Sequence, residues 1–201
     1  MLEQENISTS AIKILEAATD LFARENFDAV SIKQIAAASG VNSALISYSF
    51  GGKKNLYQEA LTTQAKQFIS LQDKIRMMDI SPLAKLRSYV DSIAAIQAEH
   101  PYRMHLIFRE LLMPTPTFDG FVKNYLYRVH RFMAELVEAA IAEGEIGNKM
   151  LPTHVAFTLE SIMLFFFLSY NHVRLLGNFE AGQEIEYLYR DMNSFLESLK
   201  K

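Results

Sequence analysis

The 201-residue chain contains no cysteine. The absence of thiols excludes a disulfide framework, a cysteine nucleophile and a zinc site built on cysteine. The five histidines form no His-Glu-x-x-His pair and no other helical ligand spacing with carboxylates, so we expect no metal site. A Gly-rich phosphate loop and a Gly-x-Ser-x-Gly turn are also missing from the sequence. The chain is therefore predicted to need no cofactor and to have no enzyme activity.

Long hydrophobic runs are absent as well. The most apolar run, Ile162–Leu168, is far shorter than the roughly 20 residues that cross a bilayer. The first ten residues are polar and do not resemble a signal peptide, so we expect a cytoplasmic protein with no membrane partner. The net charge of −3 argues against unspecific coating of nucleic acid, although it is compatible with a local basic patch.

The stretch from Ser31 to Tyr57 predicts two short helices around a tight turn, followed by a third helix. Ser31 and Gln34 have the spacing of a capping box, in which each side chain bonds to a backbone N–H group of the other residue. Gly40 suits a left-handed residue at the end of the first helix, and Asn42 is a good N-cap for the second. Two helices joined in this way can place the second one in the major groove of DNA.

The second of these helices is predicted to present small and polar side chains outward. The residues on or beside that face are Ser43, Ala44, Leu45, Ser47 and Tyr48. A serine hydroxyl can bond to bases or phosphates, and an apolar side chain can touch a thymine methyl group. No acidic residue occurs between Asp28 and Glu59, whereas Lys33, Lys53 and Lys54 do. The pattern indicates a local positive surface for double-stranded DNA.

Residues 11–57 resemble the DNA-binding domain of the tetracycline-repressor (TetR) family. The similar segments are Ala-Ile-Lys-Ile-Leu-Glu-Ala-Ala-Thr-Asp-Leu-Phe-Ala-Arg-Glu-Asn-Phe, Ser-Ile-Lys-Gln-Ile-Ala and Gly-Val-Asn, together with Leu-Ile-Ser-Tyr-Ser-Phe-Gly-Gly-Lys-Lys-Asn-Leu-Tyr. The resemblance implies a dimeric, ligand-responsive transcription regulator. It places DNA contacts at Lys33, Ser43, Ala44, Leu45, Ser47, Tyr48, Ser49 and Lys53. The residue pattern adds Asn42 and Lys54 to this candidate set.

The remainder of the chain shows helical periodicity without a strand signal. Helices are predicted over about 9–25, 53–76, 82–99, 102–113, 117–143, 152–177 and 181–199. With the two short helices they make nine, which gives an all-α fold. We assign residues 1–55 to a helix-turn-helix DNA-binding domain and residues 56–201 to a helical domain for effector binding and dimerisation.

The helix predicted over 102–113 combines aromatic residues and methionine with His105, Arg109 and Glu110. This segment loosely resembles the ligand domain of CecR-like members of the family. An inward-facing Arg109 would meet a polar or anionic effector or pair with an internal carboxylate, and the further alternative is that Arg109 is exposed on the surface. The candidate lining of a site for a small, largely apolar effector is Phe68, Met104, His105, Phe108, Arg109, Tyr125, Met163, Phe166 and Tyr170.

The helices over about 152–176 and 181–199 are the candidates for a homodimer interface. The first is apolar on all sides around residues 162–168, and the second has one apolar face. Together they could form a four-helix interface with a second copy. The alternative is ordinary packing within one chain.

Two other functions fit the sequence less well. One is a helical protein that binds a small molecule and whose helix-turn-helix mediates protein contacts. The other is a helical enzyme acting on an apolar substrate, for which only His105, Arg109 and Glu110 are candidate groups. Binding to the DNA upstream of the gene would distinguish a regulator from the first alternative, and the enzyme would require a cluster of titratable groups with shifted pKa values in its pocket.

Overall fold

The computed structural model describes residues 2–99, 103–169, 172, 177, 180 and 183–200, and every regular element in them is helical. The elements are α1 (Leu2–Arg24), α2 (Ile32–Ser39), α3 (Ser43–Phe50), α4 (Lys53–Arg76), α5 (Pro82–Glu99), α6 (Arg103–Leu112), α7 (Phe118–Phe121), a π-helical segment (Val122–Leu126), α8 (Tyr127–Ala142), α9 (Pro152–Leu168) and α10 (Gln183–Ser198). With 118–142 counted as one continuous run, these described residues form nine helices. The predicted all-α fold is confirmed.

The chain divides into two compact units. The first comprises Met1–Ala65 and Tyr102–Phe121, and the second comprises Lys66–Pro101 and Val122–Lys201. The structure thus groups residues 56–65 and 102–121 with the first three helices, although the sequence assigned them to the effector-binding domain. The functional boundary at residue 55 stays a prediction.

The core of the first unit is built on one stripe of α1. Ile14, Ala18 and Phe22 are buried at helical spacing. The ring of Phe22 meets the ring of Tyr57 from α4 edge to face, with centroids 5.0 Å apart. Phe27 packs against Tyr57 at the same distance, so one aromatic cluster joins α1, α4 and the connection after α1.

The core of the second unit contains α5, α8 and α9. Tyr89 of α5 and Phe132 of α8 are fully buried and meet edge to face at 4.8 Å. The predicted start of α5 at Ser81-Pro82 is confirmed, and Glu145 also caps this helix. Its carboxylate accepts hydrogen bonds from the backbone N–H of Leu83 at 2.9 Å and from the Ser81 hydroxyl at 2.5 Å.

Three predicted helix boundaries are wrong. α9 ends at Leu168 with Ser169 as its C-cap, not near residue 177. α1 begins at Leu2, not near residue 9, because leucine, glutamate and glutamine at its start are good helix formers. The helix predicted over 117–143 is interrupted by the π-helical segment Val122–Leu126. A π-helical turn contains one more residue than an α-helical turn, and the spacing of apolar residues in the sequence does not reveal this insertion. No helix among the described residues is long and apolar enough to cross a membrane.

Candidate nucleic-acid interface

The first helix of the candidate interface, α2, has the predicted cap at each end. The backbone N–H of Ser31 donates to Oε1 of Gln34 at 2.7 Å, and the backbone N–H of Gln34 donates to Oγ of Ser31 at 3.2 Å. Gly40 ends the helix with φ of 69°, a left-handed conformation that glycine adopts without steric cost. The capping box and the glycine turn are therefore confirmed.

The second helix, α3, is fixed by a cap, a buried anchor and a glycine. Oδ1 of Asn42 accepts a hydrogen bond from the backbone N–H of Ala44 at 2.9 Å. Ile46 is fully buried. Gly51 ends the helix in the left-handed conformation. These local constraints determine which side of α3 faces solvent.

The solvent-facing side of α3 is formed by Ser43, Ala44, Ser47 and Tyr48, which we call the reading surface. All four side chains are exposed, and 78% of the Tyr48 surface is accessible. Ser43 and Ser47 lie one turn apart, as do Ala44 and Tyr48, so the four share one face. Leu45 is half-buried at the margin of this face.

Two candidate lysines are exposed and a third is held within the first unit. Lys33 in the first turn of α2 and Lys54 in the first turn of α4 are exposed. Nζ of Lys53 donates to the carbonyl oxygen of Val30 at 2.9 Å and lies 4.3 Å from the centroid of the Phe27 ring. Lys53 therefore fastens the start of α4 to the segment before α2.

Ser49 is directed away from the reading surface. It is half-buried, and its hydroxyl oxygen is inaccessible and has no hydrogen-bond partner among the residues that the structure describes. Ser49 lines a groove with Ile12 and Leu15 of α1. Its place in the helix is the one predicted, but its orientation favours contact with α1.

The candidate effector residues are distributed over the two units. Met104, His105, Phe108 and Arg109 belong to the first unit. Phe68, Tyr125, Met163 and Phe166 belong to the second. Phe68, Phe108, Met163 and Phe166 are buried, and the others are partly exposed. Tyr170 lies outside the described residues.

Arg109 has a structural role that the sequence left open. Its Nη1 donates to the carbonyl oxygen of Phe22 at 3.2 Å, and its Nη2 donates to that of Arg24 at 2.6 Å. Both carbonyl groups belong to the last turn of α1, where a cation stabilises the negative end of the helix. Arg109 thus joins α6 to α1, a role that the sequence did not predict.

Glu110 is fully buried and forms a polar cluster with Tyr57, Thr115 and Thr117. The Tyr57 hydroxyl donates to Oε2 of Glu110 at 2.8 Å. The backbone N–H and the hydroxyl of Thr115 donate to Oε1 at 3.0 and 2.8 Å. Burial, and then the hydrogen bond and charge of Glu110, raise the pKa of the Tyr57 hydroxyl. The protonated hydroxyl therefore holds α4 to α6 inside the first unit.

A capped helix-turn-helix with an exposed second helix, in an otherwise helical chain, is the architecture of helix-turn-helix transcription regulators. Two family models match successive parts of the chain. The model described as bacterial regulatory proteins of the tetR family matches residues 14–60. The model of the C-terminal domain of the HTH-type transcriptional dual regulator CecR matches residues 82–197. The chain belongs to the TetR family and has a CecR-like C-terminal domain.

Curated relatives are also named as transcription regulators. The chain is 26% identical over 164 residues to the "Probable HTH-type transcriptional regulator YttP" of Bacillus subtilis, covering 80% of this chain and 78% of that protein. It is 24% identical over 153 residues to the HTH-type transcriptional regulator RutR of Escherichia coli K12, covering 76% and 71%. These names describe regulators, not enzymes.

Solved structures share the fold. A TetR-family regulator from Agrobacterium tumefaciens superposes with a TM-score of 0.79 at 18% identity, covering 97% of this chain and all of that one. The ketosteroid transcriptional regulator KstR2 of Mycobacterium tuberculosis gives a TM-score of 0.76 at 16% identity, covering 95% of each chain. Each likeness extends over both compact units.

Proposed function

We propose that this TetR-family regulator is a cytoplasmic repressor that binds a palindromic operator as a homodimer through α3. The observation that carries the proposal is the exposed reading surface with Lys33 and Lys54 exposed on the adjoining helices. The sequence has no acidic residue between Asp28 and Glu59, so no carboxylate of this segment repels the phosphates. Residues 1–55 are the proposed DNA-binding domain, and the rest is the proposed effector-binding and dimerisation domain.

Phosphate contacts are proposed to set the register of α3 in the major groove. Lys33, Lys54 and the Tyr48 hydroxyl are the exposed groups that can reach phosphate oxygens. The first backbone N–H groups of α4 have no partner within the helix and favour an anion. Lys53 contributes mainly by holding this helix end in place, because its ammonium group already bonds to Val30.

Operator binding can be tested with the DNA upstream of the gene in a gel-shift assay. Lys33→Ala and Tyr48→Ala should each weaken binding, and Lys33→Ala should reduce the slope of log affinity against log salt by about 1. Lys74→Ala is the matched control, since Lys74 is an exposed lysine of the second unit. Unchanged binding by both folded variants would show that the reading surface is misassigned.

Dimerisation is proposed to use the exposed apolar face of α9. Phe157 and Phe165 are 66% and 70% exposed, Leu168 follows on the same face, and the small residue Ser161 lies between them. Apolar surface of this kind is typical of an interface. The predicted apolar face of α10 contributes less, because Leu188, Met192 and Leu196 are buried within their own unit.

The proposed interface can be tested by size-exclusion chromatography with light scattering. Phe157→Glu and Phe165→Glu should give monomers, because a charge cannot be buried unpaired in an apolar contact. Met77→Glu is the control, since Met77 is an exposed apolar residue of the connection between α4 and α5. A dimer that persists in the double variant Phe157→Glu/Phe165→Glu would exclude this face.

The effector is proposed to be a small, largely apolar molecule that binds among the buried side chains of the second unit and releases DNA. Phe68, Met163 and Phe166 supply apolar surface there. Binding would shift the population of dimers toward a conformation that does not fit the operator. Screening apolar compounds for release of bound DNA tests this step. Phe166→Ala should weaken the response to any active compound while leaving operator binding intact.

A further inference from the structure

The reading surface lacks the side chains that proteins use most often for specific base recognition. Guanine is commonly read by arginine or lysine, and adenine by asparagine or glutamine, each with two hydrogen bonds. The sequence has no arginine between Arg24 and Arg76. The exposed residues of α3 are two serines, one alanine and one tyrosine. Discrimination by paired hydrogen bonds is therefore not available on this surface.

The two amide side chains within residues 31–51, Gln34 and Asn42, are already used for helix capping. Oδ1 of Asn42 accepts the backbone N–H of Ala44. Oε1 of Gln34 accepts both the backbone N–H and the hydroxyl of Ser31 at 2.7 Å. Turning Asn42 toward a base would uncap α3, and turning Gln34 would break one half of the capping box at α2, and each of these helices has only eight residues. Asn42 was predicted as a DNA contact, and its capping bond instead favours a structural role.

The exposed side chains of the reading surface are suited to recognise one chemical feature of DNA, the methyl group of thymine. A serine hydroxyl both donates and accepts, so it bonds to several base edges and discriminates poorly. The methyl group of Ala44 is exposed on the first turn of α3, which is the part of a recognition helix that contacts base edges. Its natural partner in the major groove is the C5-methyl group of thymine.

We propose that each operator half-site is recognised chiefly through thymine methyl groups, with Ala44 as the specificity-determining residue. Ser43 and Ser47 bond to neighbouring base edges without strict preference, and half-buried Leu45 adds apolar surface at the margin. This inference rests on the proposed function, since it names the DNA chemistry that the same surface reads. The expected half-site is rich in A·T pairs and prefers thymine at the position that faces Ala44.

Selection of bound DNA from a random library, followed by methyl-specific base changes, tests the inference. Each thymine of the selected half-site is replaced singly by deoxyuridine, which removes only the C5-methyl group. At the critical thymine the affinity should fall about four-fold, the value for one buried methyl group. At the same position a 5-methylcytosine·guanine pair should bind about four-fold more tightly than a cytosine·guanine pair.

Protein variants assign the methyl contact to Ala44. Ala44→Gly should bind more weakly than the wild type to thymine DNA and should lose the four-fold difference between thymine and deoxyuridine. Ala38→Gly is the matched control, since Ala38 is an exposed alanine within α2, and it should retain that difference. Asn42→Ser keeps an N-cap of equal quality and should leave the base preference unchanged.

The outcomes separate this inference from the proposed function. Failure to select any sequence would overturn both. Specific binding that tolerates deoxyuridine at every position, or a half-site defined by an obligatory guanine, would overturn the thymine-methyl readout and leave operator binding intact. Loss of base preference in Asn42→Ser would show that the amide, and not Ala44, reads the site.

Discussion

Replacing Glu110 by glutamine is expected to loosen α6 from the first compact unit. The Glu110 carboxylate is fully buried. It accepts four hydrogen bonds, one from Tyr57, two from Thr115 and a longer one of 3.4 Å from the Thr117 hydroxyl. α6 has only ten residues, which is too short for a stable helix in isolation. Its position therefore depends on contacts of this kind.

The expected loss in the free energy of unfolding follows from the number and type of these hydrogen bonds. A bond to a charged acceptor contributes about 1.5–3 kcal/mol, and a neutral one about 0.5–1.5 kcal/mol. Glutamine keeps one oxygen for Thr115 but presents an NH₂ group to the remaining donor, so we expect a loss of about 2–3 kcal/mol in the free energy of unfolding. Alanine would leave the buried Tyr57 hydroxyl and the half-buried donors of Thr115 without an acceptor, at a cost of about 3–5 kcal/mol.

Urea denaturation followed by circular dichroism measures the stability change. Amide hydrogen exchange over residues 103–117 assigns the change to α6 and its connection, because two units need not unfold together. Glu16→Gln, an exposed glutamate of α1, is the control and should change stability by less than about 0.5 kcal/mol. If both Glu110 variants matched that control, with unchanged exchange, the reasoning on this cluster would be refuted.

Three further changes test other parts of the fold. Arg109→Met should lower the free energy of unfolding by about 1–2 kcal/mol, because two carbonyl groups of α1 lose their donor; unaltered amide exchange at the end of α1 would contradict this. Glu145→Gln should cost about 0.5–1 kcal/mol by weakening the cap of α5, whereas the exposed Glu143→Gln should cost nothing in the same urea titration. Burial raises the pKa of Glu160, although the hydrogen bond with His130 lowers it. The effect of burial is the larger one, so the pKa of Glu160 is raised overall. The folded protein therefore holds the carboxyl proton of Glu160 more tightly than the unfolded chain, in which a glutamate titrates near 4.3. The stability contributed by Glu160 is present below that pH and lost as the pH rises through the folded pKa. Glu160→Gln should flatten the pH profile of unfolding in this interval, and an identical profile would exclude the assignment.

The helix-turn-helix could be predicted from the sequence because its determinants are local. The capping pair Ser31 and Gln34 lies within four residues, and Gly40 and Asn42 mark the turn directly. Most helices of the second unit were also predictable from periodicity and from proline and glycine at their ends. Such signals fix where a helix is and which of its faces is buried.

The role of Arg109 could not be predicted, because its partners are distant in the sequence. The bonds from Arg109 to α1 span 87 and 85 residues, and the bond from Tyr57 to Glu110 spans 53. A charged side chain on a short helix between prolines is compatible with ligand binding, ion pairing or helix capping. Only the position of α6 against α1 selects among these, and no periodic pattern in the sequence encodes that position.

In α2 and α3 the side chains that cap the helices differ from those that are proposed to face the bases, and this division connects helix stability to the proposed base recognition. Helices of eight residues need their end groups satisfied, and Gln34 and Asn42 meet that need. Apart from Tyr48, whose hydroxyl is proposed to contact phosphate, the reading surface then offers the bases only side chains that end at Cβ or Oγ. Such side chains would reach base edges only if the helix axis approaches closely. Under the proposed function, the depth of α3 in the groove would be set by the phosphate contacts of the exposed Lys33 and Lys54. Stronger phosphate contacts at Lys33 and Lys54 would increase both the affinity for the operator and the discrimination of thymine methyl groups. The proposal therefore expects affinity and specificity to change together.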